Sequence, residues 1–166
     1  MLFHISEDPD IEIFIPRVPD AGGDPVVWAI AEERIQNYLL PRDCPRVTFY
    51  ATDESSQSDI NNFLGPNDSV VAVERGWVDR IKTATIYRYH VPETSFKCTD
   101  KCAGYFQSEE AVIPTKVDII DDVLLELSKR SVEVRILDDL WLLHDAVASS
   151  TLAFSMIRMR NATPRS

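Results

Sequence analysis

Short runs of apolar and β-branched residues, rather than long amphipathic stretches, dominate the first two thirds of this chain. Residues 2–6, 26–30, 46–52 and 70–73 read as strands, and 85–91 alternates as a half-buried strand should before Pro92 ends it. Strands are also expected over 105–112 and 116–120, with Pro114 marking a bend or an edge between them, because proline cannot donate to a ladder. Helical spacing of Ile35, Tyr38 and Leu39 predicts a helix over 31–39 that Pro41 stops, and 77–82 reads as a second, shorter one. In the last third Asp122 is placed to cap a helix over 123–130, a strand follows over 132–137, and Asp138 or Asp139 can cap a long final helix. That helix would carry Leu140, Leu143, Val147, Leu152, Phe154 and Ile157. Residues 19–25 and 53–69, rich in Gly, Pro, Asp, Ser and Asn, read as loops.

The sum is an α+β (mixed α/β) domain, a strand-rich core with peripheral helices, without the regular βαβ rhythm of a doubly wound sheet. At 166 residues and 45% apolar, residues 1–166 are expected to form one domain with a core that needs no staples. No stretch approaches the roughly 20 apolar residues of a membrane span, and the start, Met1-Leu2-Phe3-His4, lacks a basic region before an apolar run. A cytoplasmic protein with no membrane partner is the expectation. The formal charge of −10 argues against nucleic acid, which is bound through clustered Lys and Arg. Arg158, Arg160 and Arg165 form the locally basic stretch and read as a solvated tail.

Three cysteines, Cys44, Cys98 and Cys102, do not make a disulfide framework and suit reduced thiols. Cys98 and Cys102 could supply half of a zinc site, completed by Cys44 and His90 or His144, but one such pair is weak grounds and no metal is expected. The chain has five glycines and lacks a phosphate loop, a G-x-S-x-G elbow and an H-E-x-x-H helix. His144-Asp145 reads as a solvated helix face.

Four stretches carry a resemblance. Leu2-Phe3-His4-Ile5-Ser6-Glu7-Asp8-Pro9, Pro25-Val-Val-Trp-Ala-Ile30 and Pro41-Arg-Asp-Cys-Pro-Arg46 resemble the opening of an uncharacterised bacterial family, a domain of unknown function. The ending, Ser150-Thr-Leu-Ala-Phe-Ser-Met-Ile-Arg-Met-Arg-Asn-Ala162, resembles the same family's C-terminal signature, so the likeness covers nearly the whole chain. It implies no reaction.

A more distant likeness does imply one. His4-Ile5-Ser6, Trp28-Ala29 and Gln107-Ser108-Glu109-Glu110 resemble the three-part signature of ADP-ribosyltransferase-like folds, although Trp28 stands where that signature usually has Tyr. The resemblance implies an NAD pocket and transfer of ADP-ribose to an unknown acceptor. Cleaving the nicotinamide–ribose bond builds positive charge on the ribose, which a nearby carboxylate stabilises. Glu110 would take that role, His4 would bond a ribose hydroxyl, Ser6 would hold the carboxamide and Trp28 would stack on the nicotinamide. Glu109 competes with Glu110, because the motif aligns two ways and a strand would turn the two side chains to opposite faces. Arg17, Arg42, Arg46 and Arg88 are the candidates for a pyrophosphate, with Arg42-Asp43 also readable as an ion pair fixing its turn. The alternatives are a non-catalytic module for a small-molecule ligand, and a homodimer seamed by Met156 and Met159 on the final helix.

Overall fold

The computed structural model describes residues 1–166. The alternating segments pair as two sheets. The first contains β1 (Leu2–Ser6), β2 (Val27–Ala31), β5 (Ile86–Val91), β6 (Lys97–Asp100), β7 (Tyr105–Ser108) and β8 (Lys116–Ile120) in the order β6-β7-β2-β1-β5-β8, every neighbour antiparallel. The second contains β3 (Arg46–Tyr50), β4 (Ser69–Glu74), β9 (Val132–Leu137) and β10 (Ala153–Ile157) in the order β10-β3-β4-β9, parallel only between β4 and β9. Four short helices surround them: α1 (Gln57–Asp59), α2 (Val78–Thr83), α3 (Val123–Lys129) and α4 (Trp141–Ala148).

Alternation divides each strand's side chains between two faces, and burial follows. Phe3 and Ile30 from the first sheet meet Val71, Val73 and Val132 from the second, with Ile35, Leu39, Ile81 and Leu127 filling the space between. Tyr105 links the sheets through its hydroxyl, 2.8 Å from Ser155 Oγ. The far face of the second sheet carries Val47, Phe49, Val70 and Ala72 beneath Leu140 and Val147. On the far face of the first sheet Leu2, Val27, Ala29, Tyr89 and Val91 lie under Phe14 and Val112. Phe14 and Val112 exchange backbone hydrogen bonds, so the segment after β1 straps across this face. Tyr89 anchors the strap: its hydroxyl donates to the Asp8 carbonyl (2.6 Å) and accepts from Ile11 N (3.2 Å).

The turn between the sheets is built on one cation. Arg46, at 1% exposure, opens β3 with its guanidinium turned inward. Nε donates to Cys44 O (2.9 Å), Nη1 to Asn37 O (3.1 Å), and Nη2 to Pro41 O (2.8 Å) and Arg42 O (3.2 Å). Burial lowers its pKa to about 10, which leaves it charged at neutral pH. No Arg42–Asp43 pair fixes this turn; the carbonyls around Arg46 do.

The same interaction explains one departure from the sequence pattern. Residues 31–39 are not an α-helix but a 3-10 stretch over Glu32–Asn37. In an α-helix Asn37 O would accept from residue 41, and Pro41 has no N–H to give. Arg46 supplies the missing donor from outside.

The long C-terminal helix is absent. α4 ends at Ala148, and the residues read as its continuation form β10 along the edge of β3. Ser149-Ser150-Thr151-Leu152 separate the two: Ser150 Oγ donates to Val147 O, Leu152 N donates to Ser150 Oγ, and Thr151 donates through N and Oγ1 to Asp59. Hydroxyls that bond the local backbone compete with helix continuation, and the alternation over Ala153–Ile157 then suits a strand. Met156 and Met159 therefore form no helical seam; both pack against the far-face core of the second sheet.

Smaller differences share this local origin. The strand expected over 105–112 stops at Ser108, whose Oγ accepts from Glu110 N and closes a turn. The 53–69 loop contains α1, capped by Ser56 Oγ on Asp59 N, and a π turn over Ile60–Leu64. The C-terminal segment is docked rather than free: Arg165 makes a two-point contact with Asp145 over the Trp141 ring, and Arg158 and Arg160 approach Asp20. As expected, Asp122 caps α3, accepting from Leu125 N.

Replacing Arg46 by Met keeps the aliphatic stem and strands the carbonyls of Asn37, Arg42 and Cys44, while Pro41 O keeps its bond from Cys44 N. Denaturant unfolding should then show a loss of about 3 kcal/mol or more. A loss below about 1 kcal/mol would mean that the turn does not depend on the guanidinium.

Candidate functional site

β1 is central in the first sheet, paired with β2 on one side and β5 on the other. Its register, Leu2 opposite Ala31 and Phe3 opposite Ile30, puts Leu2, His4 and Ser6 on the strapped face and Phe3 and Ile5 on the face toward the second sheet. His4 Nδ1 lies 2.8 Å from Trp28 O, and only a protonated nitrogen can bond a carbonyl, so the neutral ring keeps its lone pair on Nε2. Phe14 packs on that ring at 4.3 Å between centroids. Burial depresses the His4 pKa; the Trp28 carbonyl opposes this, and the charges of Arg42 and Arg17 add to the depression. His4 is thus a neutral imidazole with an acceptor nitrogen that no protein group engages.

The residues that follow His4 shape the strap. Ser6 Oγ accepts from Asp8 N, Asp8 Oδ1 accepts from Asp10 N, and Glu7 Oε2 accepts from Arg42 N (3.1 Å), which ties this turn to the one built on Arg46. Most of the N-terminal signature therefore has a structural duty, while the His4 side chain keeps an acceptor nitrogen free and the Ser6 hydroxyl keeps its proton.

Of the four arginines considered for an anion, two are committed elsewhere: Arg46 is buried among carbonyls, and Arg88 is paired with Asp118 and Glu126. Arg17, on the strap opposite Val26, and Arg42 are exposed and bound to no carboxylate. Trp28 points away from His4. Its neighbour in register is Gln107, its ring meets Tyr105 edge-on at 5.8 Å, and it remains 37% exposed on the face toward the second sheet. Glu109 and Glu110 are exposed in the bend after β7, so strand alternation does not choose between them. The structure gathers His4, Ser6 and the charges of Arg17 and Arg42 at one face and leaves Trp28 on the other.

A second polar constellation went unread in the sequence. Asp118 on β8 accepts from Arg88 Nε (3.1 Å) and Nη2 (3.0 Å), His90 Nε2 (2.6 Å) and Lys116 Nζ (2.8 Å), while Glu126 bridges Arg88 to Arg130. The signal was available: Arg88 and His90 alternate on β5 opposite Asp118 and Lys116. Every charge in it is paired, which suits a clamp between the sheet edge and α3 rather than a reactive centre. Burial alone would raise the Asp118 carboxyl, but Lys116, His90 and Arg88 outweigh it and hold the group well below the usual carboxylate range.

The thiols do not converge. Cys44 is buried in the core, its pKa pushed up to about 11 by burial, whereas Cys98 and Cys102 are exposed; no three His, Cys, Asp or Glu side chains meet as a metal site.

Two titrations test these assignments. In an NMR titration His4 should keep its proton on Nδ1 and show a midpoint below the ordinary value of about 6.5; a midpoint above it would remove the neutral acceptor. Asp118 has a folded pKa below its unfolded one, so its contribution is complete above about pH 4 and fades as pH falls through the depressed value. Asp118→Asn should cost about 1–3 kcal/mol at pH 7, with the gap to wild type closing on acidification. A gap unchanged down to about pH 2 would contradict the network.

No helix is long and apolar enough to cross a membrane. No curated protein sequence and no solved structure matches the chain. A family model described as a family of unknown function, DUF6886, matches residues 3–162. The match spans the strap, both sheets and the Arg46 turn, and the chain belongs to that family.

Proposed function

We propose that the His4 face of β1 is a nucleotide site and that its ligand is NAD, on an ADP-ribosyltransferase-like fold. The observation that carries the reading is the unused Nε2 of a neutral His4 within reach of the charges of two uncommitted arginines. A neutral imidazole accepts from a ribose hydroxyl, and Arg17 and Arg42 offer guanidinium forks to a pyrophosphate. The Ser6 hydroxyl already accepts from Asp8 N and still has its own proton to give to a carboxamide. Glu110, or Glu109 beside it, is the carboxylate proposed to offset charge on the ribose as the glycosidic bond breaks, with ADP-ribose passing to an acceptor nucleophile and nicotinamide leaving.

Trp28 has no part in this arrangement, because its ring lies across the sheet from His4. That placement favours a second reading, a module that binds the nucleotide without turning it over. The absence of any hydrogen bond or ion pair orienting the Glu109 and Glu110 carboxylates favours it too, since a catalytic carboxylate must be held in place.

Thermal-shift titration with NAD, wild type beside His4→Ala, is the deciding measurement. Ligand that binds the native state alone stabilises by about 2.7 kcal/mol at a hundredfold excess over its dissociation constant. A shift present in wild type and lost in His4→Ala supports the site; no shift at about 5 mM NAD rejects it. Nicotinamide release then separates the two readings. Turnover abolished by Glu110→Gln with binding retained assigns the carboxylate, turnover unaffected by the change sinks that assignment, and binding without release selects the non-catalytic module.

A further inference from the structure

A cleft of about 770 Å³ opens between the 3-10 stretch that follows β2 and the end of the second sheet, at Tyr50 of β3 and the first residues of β4 and β9. Gln36 and Ser69 line it at 6% and 7% exposure, and neither side chain hydrogen-bonds to the protein. Most other buried polar side chains are engaged: Thr48 donates to Ser155 O, Glu74 accepts from Thr163, and Ser108 bonds Ser95; Asn37, at 3% exposure, also makes no side-chain hydrogen bond, but it does not line the cleft. No side-chain N or O sealed from solvent lacks a partner, so the Gln36 amide and the Ser69 hydroxyl keep their access through the cleft. Two polar groups nine-tenths buried, with their bonding capacity open to one hollow, are placed to bond whatever fills it.

One wall is fixed in advance. The Arg34 guanidinium carbon lies 3.4 Å from the Tyr50 ring centroid, and Nη1 donates to Glu33 O. Behind the Arg34 stem runs Gly104 at φ +71°, where a Cβ would come within 2.8 Å of Arg34 Cβ. Glycine is required there both for its backbone conformation and for the close approach. Asn67 and Asp68 continue the rim, and Leu64 and Val132 give an apolar floor.

The chemistry of the lining narrows the ligand. Planar amide, carboxylate and guanidinium groups each present two hydrogen-bonding atoms side by side, a spacing that suits adjacent hydroxyls. Charge disfavours an anion: Glu32, Glu33 and Asp68 face Arg34 and Arg130, and Arg130 is already bonded to Glu126. We infer that this cleft binds an uncharged polyhydroxylated small molecule, a monosaccharide or cyclic polyol without phosphate. The inference uses none of the residues of the NAD reading and stands or falls apart from it.

The full chain, labelled with nitrogen-15, can be titrated with D-glucose, D-ribose and myo-inositol, each to about 50 mM, and with glucose 6-phosphate. At least one of the three neutral ligands should shift the backbone amides of Gln36, Tyr50 and Ser69, with the phosphorylated sugar weaker. Gln36→Leu and Ser69→Ala should each weaken that binding roughly five- to tenfold, the cost of one lost hydrogen bond. Ser69→Ala carries the test alone if the leucine variant fails to fold. No response to any neutral ligand, a response that both variants leave unchanged, or a preference for the phosphorylated sugar would overturn the inference.

Discussion

A guanidinium enclosed by four backbone carbonyls, with no carboxylate beside it, sets the geometry on which both sheets depend. The segment from Asn37 to Cys44 must leave the first sheet and enter the second within a few residues, and Pro41 and Pro45 cannot donate hydrogen bonds of their own. Arg46 satisfies the carbonyls that the prolines leave idle, and as the first residue of β3 it fixes where the second sheet begins. Glu7 reaches the same turn through Arg42 N, so the end of β1 is registered against it. A lysine, with one compact ammonium, could not reproduce four contacts spread over a planar fork.

Much of this architecture is written in local alternation. β1, β5, β8 and β9 lie where period-two patterns place them, and Asp122 caps α3 as an N-cap aspartate should. Failures occurred where a distant residue settles a local choice. Residues 31–39 have helical spacing, but the Asn37 carbonyl is claimed by Arg46, nine residues on. Residues 149–157 can be threaded onto a helix until Asp59, 92 residues earlier in the chain, binds Thr151 and β3 offers an edge. Pattern within a window cannot register such partners.

The site was legible in part for a related reason. His4 is conspicuous in the N-terminal signature, and its central position in the sheet gives it a fixed tautomer and a protected environment. Its grouping with Trp28 was not readable, because facing depends on pairing register, and with Ile30 opposite Phe3 both Ile30 and Trp28 fall on the face of Phe3 and Ile5, away from His4. The residues of the cleft beside the 3-10 stretch carry no motif. Gln36, Tyr50 and Ser69 come from three separate parts of the chain, and the glycine that fixes one wall comes from a fourth.

The two sheets are interleaved along the chain, with β3 and β4 in the second, β5 through β8 in the first, and β9 and β10 back in the second. During synthesis the first sheet can assemble once β8 has emerged, but β3 waits for β10, about a hundred residues downstream, before its outer edge is covered. Until then Val47, Phe49, Val70 and Ala72 present an apolar face without Leu140 and Val147 to cover it. Pairings this distant close slowly and expose sticky edges meanwhile. The growing chain therefore depends on β10 to finish a sheet begun near its first quarter, and late closure of that edge is the kinetic counterpart of the topology.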